Sequence, residues 1–167
     1  MSCYVLYSKP KAEIVAAKNL QKLGIAAYVP TKRVPDKAGK NWLKIPLFSS
    51  YVFVEAGPER ARDIEKVSQI SRFVQIGKEY VRLTPKDLER IKRINYLEEP
   101  VTVERSLLAT GQQVEIQNGP FIGLMGIVVD PNRNNKVYLA IEGLRCYVSV
   151  EFADLQYRVV EEEEEEV

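Results

Sequence analysis

The sequence predicts an α+β protein in two parts: a mostly antiparallel sheet with helices packed on one face, followed by a small five-stranded β-barrel. Three observations lead there. Up to residue 97 the apolar residues alternate between strand and helix periods, in the order β-α-β-β-α-β-α. From Thr110 onward the helical period is replaced by β-branched runs separated by Gly, Asn and Pro. Charge divides at nearly the same place: residues 1–97 hold 19 Lys and Arg against 9 Asp and Glu, whereas residues 98–167 hold 5 against 14. Six of those 14 acids form the run Glu161–Glu166, which repels itself and is expected to be disordered.

The elements follow in order. Cys3–Tyr7 (CYVLY) is a short apolar strand. The next stretch, KPKAEIVAAKNLQKLG, carries Pro10 near its start and Gly24 at its end, with Ala12, Ala16, Leu20 and Leu23 at helical spacing. IAAYVPTKRV is a strand interrupted by Pro30, PDKAGKN an exposed hairpin tip, and NWLKIPLFSSYVFVEA the returning strand. A short helix starts at Pro58, with Ala61, Ile64 and Val67 three apart; SRFVQIG and EYVRL read as strands. The last helix of this half has the clearest start, with Thr84 as N-cap, Pro85 at the first helical position, Asp87 at N3, and a stripe of Leu88, Ile91 and Ile94. LEEPVTVERSLLAT has no clear period and is read as the linker. Beyond it, QQVEIQ, LMGIVVD, KVYLAI, LRCYVSVEF and ADLQYRV are strands, with turns at NGPFIG, PNRNN and EG. The resulting division is 1–97, a linker at 98–108, a barrel at 109–158, and an acidic tail at 159–167.

One strand is apolar on both sides. In YVFV, Val52 and Val54 point one way, and Tyr51 and Phe53 the other. With helices on one face, the valines make the natural core side, joined by Val74 and Ile76. Tyr51, Phe53 and Phe73, with Tyr7 as a fourth member, are then expected on the opposite face. Such a patch either marks a partner site or lies beneath the second half; periodicity does not choose.

Composition narrows the function. There is no apolar run long enough to span a bilayer and no secretory leader, and a cytoplasmic location is expected. The chain has no histidine, so Cys3 and Cys146 are read as small buried hydrophobes rather than metal ligands. Without a phosphate loop or a nucleophile–base pair, no enzyme activity, cofactor or metal is expected. The basic first half suits phosphate contacts that position a protein without reading sequence.

YVLYSKPKAE…NLQKLGIAAYVP, then PLFSSYVFVE, then SRFVQIG resemble the N-terminal domain of NusG-type transcription elongation factors. GQQVEIQNGPFIGLMGIVVD resembles a KOW motif, which implies an SH3-like barrel. The resemblance runs from about Cys3 to Arg158 in the right domain order. The details LYSKPK and YVSVEF resemble specialised paralogues such as RfaH and the UpxY antiterminators of polysaccharide operons. The departure is FSSY, where many relatives have proline or asparagine before the tyrosine, which bears on the pose of Tyr51.

The resemblance implies that Tyr7, Tyr51, Phe53 and Phe73 grip the clamp helices of the β′ subunit of bacterial RNA polymerase, holding the clamp closed and suppressing pausing or termination. It implies that Lys32, Arg33, Lys37, Lys40 and Lys44 of the hairpin face the β subunit and upstream DNA, and that Lys9 meets the non-template strand. Arg60 and Arg62 are weaker candidates. In the barrel, Gly119, Pro120, Phe121 and Gly123 form the turn, with Phe121 either a partner anchor or a cap of the barrel. The resemblance also implies a ribosomal small-subunit protein or Rho as barrel partner, and a barrel that in RfaH refolds into a helical hairpin. An RNA-binding or ribosome-associated KOW protein is the alternative, and it leaves the aromatic face unexplained.

Overall fold

The structure, a computed structural model, describes residues 3–94, 101–107, 111–129 and 136–160. The turn at 131–135, linker positions 98–100 and 108, and the acidic run 161–166 lie outside the described residues.

The first half is built on β1 (Cys3–Ser8), which is followed by helix α1 (Glu13–Lys22). Two strands come next, β2 (Ala27–Tyr28) and β3 (Thr31–Pro35), divided at Pro30, whose ring cannot donate to a ladder. The expected single returning strand is also two, β4 (Trp42–Pro46) and β5 (Tyr51–Val54). The break is at Ser50, whose φ of 66° turns the chain, and whose N–H donates to the buried Glu13 carboxylate at 2.9 Å. After a 3-10 turn at Pro58–Arg60 come α2 (Ala61–Glu65) and the short strands β6 (Ile70–Phe73), β7 (Gln75–Ile76), β8 (Glu79–Tyr80) and β9 (Arg82–Leu83). Helix α3 (Pro85–Ile94) closes this half. Its start is the predicted reciprocal cap: the Asp87 N–H donates to Thr84 Oγ1, and the Thr84 N–H to Asp87 Oδ2, both at 3.0 Å.

The main sheet has the order β2-β5-β1-β6, with β9 beside the other end of β1, and every pair is antiparallel. β3 and β4 form a separate two-stranded ribbon. α1 and α2 cover one face through Ala16, Leu20 and Ile64, packed on Leu6, Val52 and Val54. α3 lies with the opposite side, where Ile91 and Ile94 pack among Val5 and Phe53. The third helix thus departs from the expected one-sided arrangement. Leu23, expected in the α1 stripe, is exposed.

The second half is a six-stranded antiparallel sheet, order β10-β14-β13-β12-β11-β15. Its strands are β10 (Val101–Glu104), β11 (Gln112–Ile116), β12 (Met125–Val128), β13 (Lys136–Ile141), β14 (Cys146–Glu151) and β15 (Tyr157–Val159). β10 corrects the linker expectation. Val101 and Val103 pair with Val150 and Val148, a β-branched edge that an aperiodic flank concealed. The barrel also runs past 158, since the Val160 N–H donates to the Gln113 carbonyl.

Candidate functional site

The register of β1 against β5 decides which rings share a face. Tyr7 pairs with Tyr51 and Val5 with Phe53, so these four lie on one side; Leu6 and Val52 lie on the other. Tyr7 and Tyr51 have ring centroids 5.5 Å apart. Phe48 completes the group, 6.5 Å from Tyr51 and 5.8 Å from Phe53. The guanidinium of Arg72 rests 5.2 Å from the Tyr7 centroid. Strand alternation could not reveal Phe48, because the left-handed Ser50 intervenes between it and β5.

Phe73 is not a member of this group. It pairs with Leu6, which places it on the helix-covered face, edge-on to Tyr4 at 6.1 Å and to Tyr80 at 5.4 Å. Val74 and Ile76 are corrected too. Val74 is buried with Phe53 rather than with the valines of β5, and Ile76 is exposed.

The ring-lined face is covered by the chain itself. Phe53 is 1% exposed, Phe48 is buried, and Tyr7 and Tyr51 are half-buried in a core that continues through α3 into the barrel residues Phe121, Leu139, Ile141 and Val148. Burial first, then the adjacent Tyr7, pushes the Tyr51 phenol up; Cys146 adds to this and Arg105 opposes it, so the second half stands directly beside this ring. Burial, then Asp87, pushes the Cys146 thiol up to about 11.

Polar contacts tie the halves together at α3. The Asp87 carboxylate is fully buried and accepts the Glu142 N–H at 2.8 Å and the Gly143 N–H at 2.9 Å, besides that of Thr84. Arg90 donates to the Ala140 carbonyl at 2.6 Å and the Met125 carbonyl at 3.3 Å, and Arg93 to the Ile122 carbonyl at 2.6 Å. Gly143 fits because it has no side chain: a Cβ there would collide with the Arg82 carbonyl. Sequence reading found Asp87 as a helix cap and missed its second role.

The basic candidates fall elsewhere. Lys32, Arg33 and Lys44 lie on the β3–β4 ribbon, with Lys37 and Lys40 at its tip. Lys9 is exposed just beyond β1. Arg60 is engaged with Asp63 at 3.3 Å, and Arg62 is exposed. In the barrel, Gly119 and Gly123 adopt φ of 75° and 86° around Pro120, as the turn requires. Phe121 is fully buried and 5.5 Å from the Phe152 ring, which assigns it to the barrel interior rather than to a partner; Ile122 beside it is the exposed apolar residue. Among the described residues no group of three His, Cys, Asp or Glu could hold a metal ion, and no helix is long and apolar enough to cross a membrane.

Fold and surface together define a two-part architecture: an α+β unit with an aromatic sheet face, packed against a small β-barrel. The match to known families makes this specific. Residues 1–92 match the family described as "Transcription termination factor nusG", and the chain belongs to the NusG family. The solved structure concerning domain interaction in Thermotoga maritima NusG is similar in fold, with a TM-score of 0.53 at 24% identity over 89% of this chain and 92% of that one. Two conformations of the MjSpt4:Spt5 complex also align, at 15% identity with TM-scores of 0.34 and 0.32, over 94% and 96% of this chain and 98% and 99% of those. No curated protein sequence matches.

Proposed function

We propose that this chain is a transcription elongation and antitermination factor whose first half docks on the β′ clamp helices of bacterial RNA polymerase through Tyr7, Tyr51, Phe48 and Phe53. Holding the clamp closed would disfavour paused states, by no more than the difference in affinity between the two clamp states. The observation that carries the reading is the contiguous ring cluster on one sheet face. Aromatic anchors bury large area with few rotors to freeze, which suits a docking surface. Phe73 is outside the docking set, because it faces α2.

The same cluster lies beneath the barrel, so docking requires the two halves to part. Apparent affinity is then the intrinsic affinity reduced by the open fraction. Opening also frees the barrel for a second partner, such as a ribosomal small-subunit protein or Rho, while the ribbon and Lys9 approach DNA.

The test is retention of core polymerase on immobilised protein. Wild type should retain it weakly, a variant that opens the halves more strongly, and that variant carrying Tyr51→Ala should lose it. Naked RNA binding that exceeds polymerase binding, and is indifferent to Tyr51, would shift the assignment to a ribosome-associated KOW protein.

A further inference from the structure

The β3–β4 ribbon has two chemically different faces. Cross-strand partners share a face, and the register pairs Arg33 with Lys44, Pro35 with Trp42, Lys32 with Ile45, and Val34 with Leu43. One face therefore carries Trp42, Arg33, Lys44 and Pro35; the other carries Val34, Leu43, Ile45 and Lys32. The Arg33 guanidinium lies over the Trp42 ring, 5.2 Å from its centroid, and the indole is nonetheless 60% exposed. The open indole with a guanidinium and an ammonium on the same face forms a cationic platform on which a planar ring can stack.

We propose that the Trp42–Arg33–Lys44 face binds single-stranded nucleic acid, with a base stacked on Trp42 and the flanking phosphates held by Arg33 and Lys44. Charge complementarity selects this occupant: the ribbon from Thr31 to Pro46 carries five cations and one acid, Asp36. That acid is occupied in shaping the tip, where it accepts the Lys40 N–H at 3.1 Å. Stacking needs an exposed π-face beside cations, which a duplex, with its bases paired and stacked inward, cannot use. The aliphatic face behind it offers no comparable contact to a base. The proposal deepens the reading above by naming which face and which ring would meet nucleic acid.

Trp42 is the one tryptophan of the chain, so its fluorescence reports on this face alone. The full-length protein would be titrated, without polymerase, with an oligothymidylate single strand and with a duplex of equal length. Saturable quenching by the single strand, weaker with the duplex, is expected. By anisotropy of labelled strand, Trp42→Ala should weaken binding roughly tenfold, while Trp42→Phe keeps most of it. Two phosphate contacts predict about sevenfold weaker binding for a fourfold rise in salt, and Arg33→Ala or Lys44→Ala should each lower the log–log slope by about 0.7. Leu43→Ala, on the opposite face, should bind as wild type.

Equal binding by Trp42→Ala and wild type, preference for the duplex, or equal loss in Leu43→Ala would overturn the proposal. So would an absence of saturable quenching by the single strand. Because no polymerase enters the titration, failure here leaves clamp docking intact. Failure of polymerase retention likewise leaves this face standing.

Discussion

Gly143→Ala is the sharpest probe of the closed arrangement, because it acts on the contact between the halves and on neither half alone. The added Cβ would meet the Arg82 carbonyl and come within 3.2 Å of Asp87 Oδ2. The carbonyl cannot retreat, since Arg82 is in β9 and paired with Tyr4 of the central strand. The turn at Glu142–Leu144 must lift instead, stretching the bonds of 2.8 and 2.9 Å that the Asp87 carboxylate accepts from Glu142 and Gly143. Hydrogen bonds to a charged group contribute about 1.5–3 kcal/mol each, but water replaces them on opening, and overpacking costs about 1–3 kcal/mol. A loss of about 2 kcal/mol shifts the closed–open equilibrium about thirtyfold toward open. In the open form the new methyl meets only solvent, so both halves should stay folded.

Cys146 provides the assay. Its thiol is pushed up to about 11 by burial beside Asp87. Returning it to an ordinary value of about 8.5 would raise the thiolate fraction at about pH 8 by roughly two orders of magnitude, and the thiolate is the reactive form. Labelling of Cys146, resolved by peptide mass spectrometry from the buried Cys3, should therefore accelerate by at least tenfold in Gly143→Ala, and polymerase retention should rise with it. Wild-type labelling rates in a folded Gly143→Ala protein would refute the claim that this turn governs closure.

The remaining predictions use separate readouts. In the Gly143→Ala background, Tyr51→Ala should abolish polymerase retention, whereas Phe73→Ala should retain polymerase despite some loss of stability, because Phe73 packs on Tyr4 and Tyr80 on the other face. Phe121→Ala should cost about 3–5 kcal/mol by removing a fully buried ring, read as a lower denaturation midpoint. Burial, then Glu55, raises the Cys3 thiol from 9.0 to about 11. The folded form thus keeps a proton that the unfolded form releases, so stability is intact below about pH 9 and falls as pH rises toward 11. Cys3→Ala should flatten that alkaline fall in urea titrations at stepped pH.

What was legible in the sequence was local. Thr84, Pro85 and Asp87 announced α3 because a capping box is written in four consecutive residues. Tyr51 and Phe53 separated from Val52 and Val54 because alternation within one strand is fixed by the pleat. Phe73 failed for the complementary reason. Its face depends on pairing with Leu6, and a register that differs by one residue moves a side chain across the sheet. The second role of Asp87 joins residues 55 apart in sequence, and Gly143 reads in isolation as one more turn glycine.

The question of what covers the rings could not be decided from composition, because a closed core and a docking surface call for the same side chains. Phe48, Tyr51 and Phe53 gain from burial whether the cover is the barrel or a foreign pair of helices. What separates the two states is the polar set that only the closed form makes, centred on Asp87, Arg90 and Gly143. Apolar burial sets how tightly the face is held, and these few backbone-directed bonds set which partner holds it. Substitutions among them should move the balance between self-cover and docking without altering the docking surface itself.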